Sequence, residues 1–133
     1  MENYLSFHHI GIACRDIEAT KPFYIAQGYV ASETVFDPVQ SVNICFLDKA
    51  GMPRIELLSP IGEDSPVVRT LETSGVAPYH ICYEADDITV AISRLKSLHF
   101  VLLKKPVPAC AIGGKAVCFL YSKNVGLVEL VEK

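Results

Sequence analysis

The chain has 133 residues, half of them hydrophobic and about a fifth charged, with a formal net charge of −3. That composition excludes a disordered chain, and with Lys104-Lys105 as the only basic doublet it argues against a nucleic-acid partner. No apolar run approaches the length of a membrane span, and the polar start MENYLS lacks a secretory signal's basic-then-apolar order, so the expected location is cytoplasmic.

In chain order, LSFHHIGIAC predicts a strand with Ile10 and Ile12 on one face and His9, Gly11 and Ala13 on the other. Asp16 is placed to cap a helix running to about Gln27, with Gly28 as its stop and Pro22 inside it as a kink or early end. YVASETVF and VNICFLD follow as strands, the turn KAGMP comes next, and RIELLS is the third strand after the helix. Ser65 then caps a short linker helix over about 65–75, opened by Pro66 and ended by Gly75. From there the pattern restarts. PYHICYEA is a strand, and Asp87 caps a helix with Ile88, Ala91, Ile92, Leu95 and Leu98 on one stripe. FVLLKK, AVCFLYS and GLVELVE complete the series as strands, divided by PVPACAIGG and KNVG.

The order strand, helix, three strands thus occurs twice, over about 5–60 and about 77–132. The letters repeat too: His9-Ile10 precedes Asp16-Ile17 by seven residues, and His80-Ile81 precedes Asp87-Ile88 by the same seven. Neither module can bury its apolar sheet face alone, so the expectation is one α+β domain spanning residues 1–133. The five cysteines, Cys14, Cys45, Cys82, Cys110 and Cys118, are odd in number and contain no C-x-x-C, and most of them read as small buried hydrophobes.

Each module carries a carboxylate between aliphatic residues on its last strand: Glu56, 47 residues after His9, and Glu129, 49 residues after His80. An acid in that setting is costly if it faces the core unpaired. If the four side chains line one concave face, they form a two-His, two-Glu cluster whose charge suits a divalent ion such as Ni, Co, Mn, Fe or Zn. Four protein ligands leave two positions of an octahedral ion for water or substrate. Such an ion would stabilise the enolate formed when a C–H beside a carbonyl loses its proton. Glu129 is the first candidate for the base and Glu56 the second. His8, on the face opposite His9, and His99, at the end of a helix, are expected to be structural.

HHIGIACRDIEA, RIELLSPIGEDSPV, YHICYEADDI and GGKAVCFLYSKNVGLVELVE together resemble the vicinal oxygen chelate superfamily, which includes glyoxalase I and methylmalonyl-CoA epimerase. The resemblance covers nearly the whole chain and implies paired βαβββ modules in a cupped, mostly antiparallel sheet. The metal ligands would fall on His9, Glu56, His80 and Glu129, the set that the strand faces select. HIGIA and GEDSP are closer to the epimerase branch. Glutathione-dependent glyoxalases often carry an Arg where Ala13 stands. VNICFL lacks the extra acid of some epimerases, and Tyr121-Ser122 replaces their usual His-Pro. The resemblance therefore implies an epimerase acting on an acyl-CoA, with a glyoxalase I-like lyase acting on a thiol–methylglyoxal adduct as the alternative. A drug-sequestering protein of the bleomycin-resistance type is the non-catalytic alternative, disfavoured by four competent donors. Family precedent also implies a homodimer, and Lys104, Lys105 and Lys115 are candidates to meet coenzyme A phosphates.

Overall fold

The computed structural model describes residues 4–133; Met1–Asn3, half of the MENYLS start, lie outside the described residues. The elements follow as β1 (Leu5–Ala13), α1 (Ile17–Ile25), β2 (Val30–Ala31), β3 (Val35–Asp37), β4 (Val42–Asp48), β5 (Ile55–Pro60) and the linker helix α2 (Pro66–Ser74). They continue as β6 (Ala77–Ala85), α3 (Ile88–Ser97), β7 (Val101–Leu102), β8 (Val107–Ala109), a 3-10 turn (Cys110–Ile112), β9 (Lys115–Ser122) and β10 (Gly126–Glu132). The class is α+β, and antiparallel pairings outnumber the parallel ones. None of the described helices is long and apolar enough to cross a membrane.

Two compact units divide the chain: His9–Tyr79, and the residues up to His8 together with His80–Lys133. In the first, the strand order is β2-β4-β5-β1, with β1 parallel to β5 and the rest antiparallel. In the second, it is β6-β10-β9-β7, with β6 parallel to β10 and the rest antiparallel. The duplication extends to a detail absent from the sequence prediction. The second strand of each module is broken in two, β2 and β3 both pairing with β4, and β7 and β8 both pairing with β9. At the first break, the Ser32 hydroxyl accepts from the Phe46 N–H at 2.9 Å while Ser32 N–H donates to the Phe46 carbonyl at 2.8 Å. A side chain thus supplies an acceptor where the strand leaves the ladder. At the second break, Leu103 N–H donates to the Phe119 carbonyl at 2.9 Å.

The caps behave as their chemistry requires. Asp16 accepts from Ala19 N–H, Ser65 from Val67 N–H, and Asp87 from Thr89 and Val90 N–H. Helix α1 passes through Pro22 and stops at Ile25, two residues short of the expected Gln27. Helices α1 and α3 end alike, with Tyr29 N–H donating to the Tyr24 carbonyl and Phe100 N–H to the Leu95 carbonyl. The residue just before that bond adopts positive φ, 95° at Gly28 and 69° at His99. His99 is therefore a helix-terminating residue. The same termination corrects the predicted stripe: Ile88, Ala91 and Leu95 are buried, whereas Leu98 is the C-cap and is 59% exposed.

Each unit packs its helix on one sheet face. Ile12, Cys14, Ile17, Tyr29, Cys45, Leu47, Ile55 and Leu57 form one core. Ala85, Ile88, Ala91, Leu95, Phe100, Cys118, Leu120, Val128 and Leu130 form the other. Alternation then commits His9 and Glu56, and likewise His80 and Glu129, to the face away from the helix.

Candidate metal centre

In the His9–Tyr79 unit, β1 and β5 run parallel with Gly11 in register with Glu56, so His9 and Glu56 meet on one face. His9 Nε2 lies 3.2 Å from Glu56 Oε1. Both residues are almost fully buried, at 0% and 3% exposure. In the other unit, β6 and β10 run parallel with Cys82 in register with Glu129. His80 Nε2 lies 3.1 Å from Glu129 Oε1, at 4% and 3% exposure. Burying a carboxylate in a sheet face has a large desolvation cost, offset only by partners that can answer its charge. The chain bears this cost twice, with the same residue types. Each unit thus carries one buried His–Glu pair with metal-competent donors, His9 with Glu56 and His80 with Glu129.

Two further residues were not singled out from sequence. Phe46 pairs with Glu56 across β4 and β5, and its ring meets His9 edge-on at 5.4 Å between centroids. Phe119 pairs with Glu129 across β9 and β10, and it meets His80 edge-on at the same 5.4 Å. The imidazole of each pair is thus walled by an aromatic ring, which limits its rotation and keeps the dielectric low. The available signal was the tripeptide Cys-Phe-Leu, at Cys45–Leu47 and again at Cys118–Leu120, with each Phe ten residues ahead of its Glu.

Among the cysteines, Cys14, Cys45, Cys82 and Cys118 are buried, Cys110 is exposed, and none is in a disulfide. Most of the cysteines are thus small buried hydrophobes as expected, and the exposed one, Cys110, begins the 3-10 turn. Burial first, and then the negative charge of Glu129, push the Cys118 thiol up to about 11 from 9.0. The folded protein therefore keeps this proton while the unfolded chain loses it, so stability is expected to fall as pH rises from about 9 towards about 11. At pH 8 iodoacetamide should modify Cys110 rapidly and leave Cys118 intact until denaturant is added; peptide mass spectrometry reads the difference, and rapid native labelling of Cys118 would contradict it.

Lys104, Lys105 and Lys115 are exposed. Two surface clefts, one of about 300 Å³ that includes Arg15, Thr34, Asn43 and Ser59, and one of about 600 Å³ along α2, contain neither His–Glu pair.

Comparison with known proteins follows the same lines. Residues 8–119 match the glyoxalase/bleomycin resistance protein/dioxygenase superfamily. The chain is 37% identical over 127 residues to mitochondrial methylmalonyl-CoA epimerase of Homo sapiens, covering 92% of this chain and 71% of the human protein. It is 35% identical over 127 residues to an ethylmalonyl-CoA/methylmalonyl-CoA epimerase of Cereibacter sphaeroides, covering 92% and 94%. Among solved structures, a variant of Streptomyces coelicolor methylmalonyl-CoA epimerase in complex with 2-nitronate-propionyl-CoA superposes with a TM-score of 0.84 at 28% identity, over 98% of this chain and 99% of that one.

Proposed function

The chain belongs to the glyoxalase/bleomycin resistance protein/dioxygenase superfamily, and on that premise we propose that it is a metal-dependent epimerase acting on methylmalonyl-CoA or a close relative. The observation that carries this reading is the buried His–Glu pair, present twice in the same strand register. His9, Glu56, His80 and Glu129 are the proposed ligands of a single divalent ion, with both modules serving one site and residues 1–133 acting as one domain. The donor chemistry fits such an ion. Two carboxylates and two neutral imidazoles sum to −2, and a charge of +2 offsets what their burial costs. Bound there, a divalent ion supplies Lewis-acid polarisation of a substrate carbonyl.

The chain's own part is proton handling. A carboxylate oxygen of Glu129 takes the proton from the carbon between the thioester and the free carboxylate; the C–H bond breaks, an O–H bond forms, and the electron pair moves towards the thioester carbonyl. Glu56, from the other module, is the second proton-transfer group: it takes up a proton from water and passes it to the other face of the enolate carbon, where the new C–H bond forms, while Glu129 releases its proton to water. Phe46 and Phe119 hold the imidazoles in place and limit water beside them. Besides this acyl-CoA substrate, a second copy of the chain is the proposed partner, and the cytoplasm the proposed location. Lys104, Lys105 and Lys115 are proposed to meet the phosphates of coenzyme A.

A glyoxalase I-like lyase finds no support in Ala13, which is fully buried where that class often has an Arg. Proton exchange in deuterated water tests the choice. Incubation with methylmalonyl-CoA should place deuterium on the reacting carbon and interconvert the epimers. Isomerisation of a thiol–methylglyoxal adduct without any exchange into methylmalonyl-CoA would overturn the reading in favour of the lyase.

A further inference from the structure

Because the two modules match so closely around their His–Glu pairs, a position where they differ is informative. Two residues before Glu56 stands Arg54; two before Glu129 stands Leu127. Arg54 continues the β5 ladder, its carbonyl accepting from Ile10 N–H at 3.0 Å, so alternation puts its side chain on the face that carries Glu56. One step beyond the Leu47–Ile55 pair, Asp48 meets it: Arg54 Nε donates to Asp48 Oδ1 at 2.7 Å. In the other module the matching cross-strand pair is Tyr121 with Leu127. Only the first module therefore has an ion pair at this position.

Arg54 is also braced from below. Its guanidinium lies 5.5 Å from the centroid of Phe46, the ring that packs against His9. Cation–π contact fixes the guanidinium plane, and the bond to Asp48 uses Nε alone of its five N–H donors. The terminal amino groups form the fork that matches a carboxylate. Both side chains are about half exposed, at 42% and 54%. An exposed ion pair adds little to stability, which leaves recognition as the stronger reason for placing an arginine here.

We propose that Arg54 recognises a carboxylate on the substrate, with Asp48 as the internal counter-ion that holds it until the ligand arrives. This deepens the epimerase reading and rests on it, because the substrate named there carries a free carboxylate on the reacting carbon while a simple acyl thioester does not.

The test is calorimetric binding to the metal-loaded protein, with methylmalonyl-CoA, propionyl-CoA and coenzyme A as separate titrants. The wild type should prefer methylmalonyl-CoA to propionyl-CoA by about tenfold or more, the usual worth of a charge-assisted contact. Arg54→Met should abolish that preference and leave propionyl-CoA affinity within about twofold, while Asp48→Asn should preserve or widen it. A preference that survives Arg54→Met overturns the proposal, and so does an equal weakening of all three ligands, which would place Arg54 at the phosphates or in the scaffold. The two readings fail separately. Deuterium exchange with an unaltered preference in Arg54→Met removes only the carboxylate contact, whereas a wild type without exchange or preference removes both.

Discussion

Glu129→Gln is expected to lower turnover by about a hundred- to ten-thousand-fold, the range a positioned general base contributes. The substitution suits the question because glutamine keeps the shape and one carboxamide oxygen. The buried position at 3% exposure stays filled, and His80, 3.1 Å away, keeps a neighbour. What disappears is the capacity to accept a proton. The signature is a fall in kcat with methylmalonyl-CoA while most metal binding remains, since an amide oxygen can still act as a donor. Glu56→Gln supplies the contrast. If Glu129 removes the proton, exchange with deuterated water should continue in that variant while inversion slows. Unchanged turnover in Glu129→Gln would take the residue out of the chemistry and make Glu56 the base.

Much of this was legible from letters alone, and the reasons are local. Asp16, Ser65 and Asp87 cap their helices because a short acceptor side chain is the cheapest partner for the first N–H groups. His9 and His80 were assigned to one face by alternation, and the parallel registers of β1 with β5 and β6 with β10 bring each to its carboxylate. Three features were hidden. The breaks between β2 and β3 and between β7 and β8 depend on tertiary context: Ser32 replaces a ladder acceptor with its hydroxyl, which no propensity records. Strand β8 lay within PVPACAIGG, read as a divider, because two prolines argue against a central strand; on an edge, Pro108 opposite Ala116 loses nothing by lacking an N–H. Phe46 and Phe119 looked like ordinary core residues of alternating strands, and only their contact with the imidazoles at 5.4 Å separates them from the rest.

His9→Ala and His80→Ala should behave alike, although the two residues lie 71 positions apart. Each variant removes one of four proposed ligands and leaves a buried carboxylate whose imidazole neighbour is gone. Losing an outer-shell partner of a metal site already costs about 10–100-fold in affinity, and losing a direct ligand should exceed that. The carboxylate left behind adds a folding penalty, because removing one partner of a buried polar pair exposes the full desolvation cost of the other. Thermal unfolding with and without added divalent ion separates these effects: the ion should raise the wild-type Tm and leave both variants nearly unmoved.

The metal content of the purified chain, after chelation and reloading, bears most directly on whether two half-sites act as one. Mass spectrometry of the reloaded wild type should find one divalent ion per chain, with His9→Ala and His80→Ala each close to none. Two ions per chain, one for each His–Glu pair, or a wild type that takes up none at all, would contradict the shared centre on which the proposed chemistry depends.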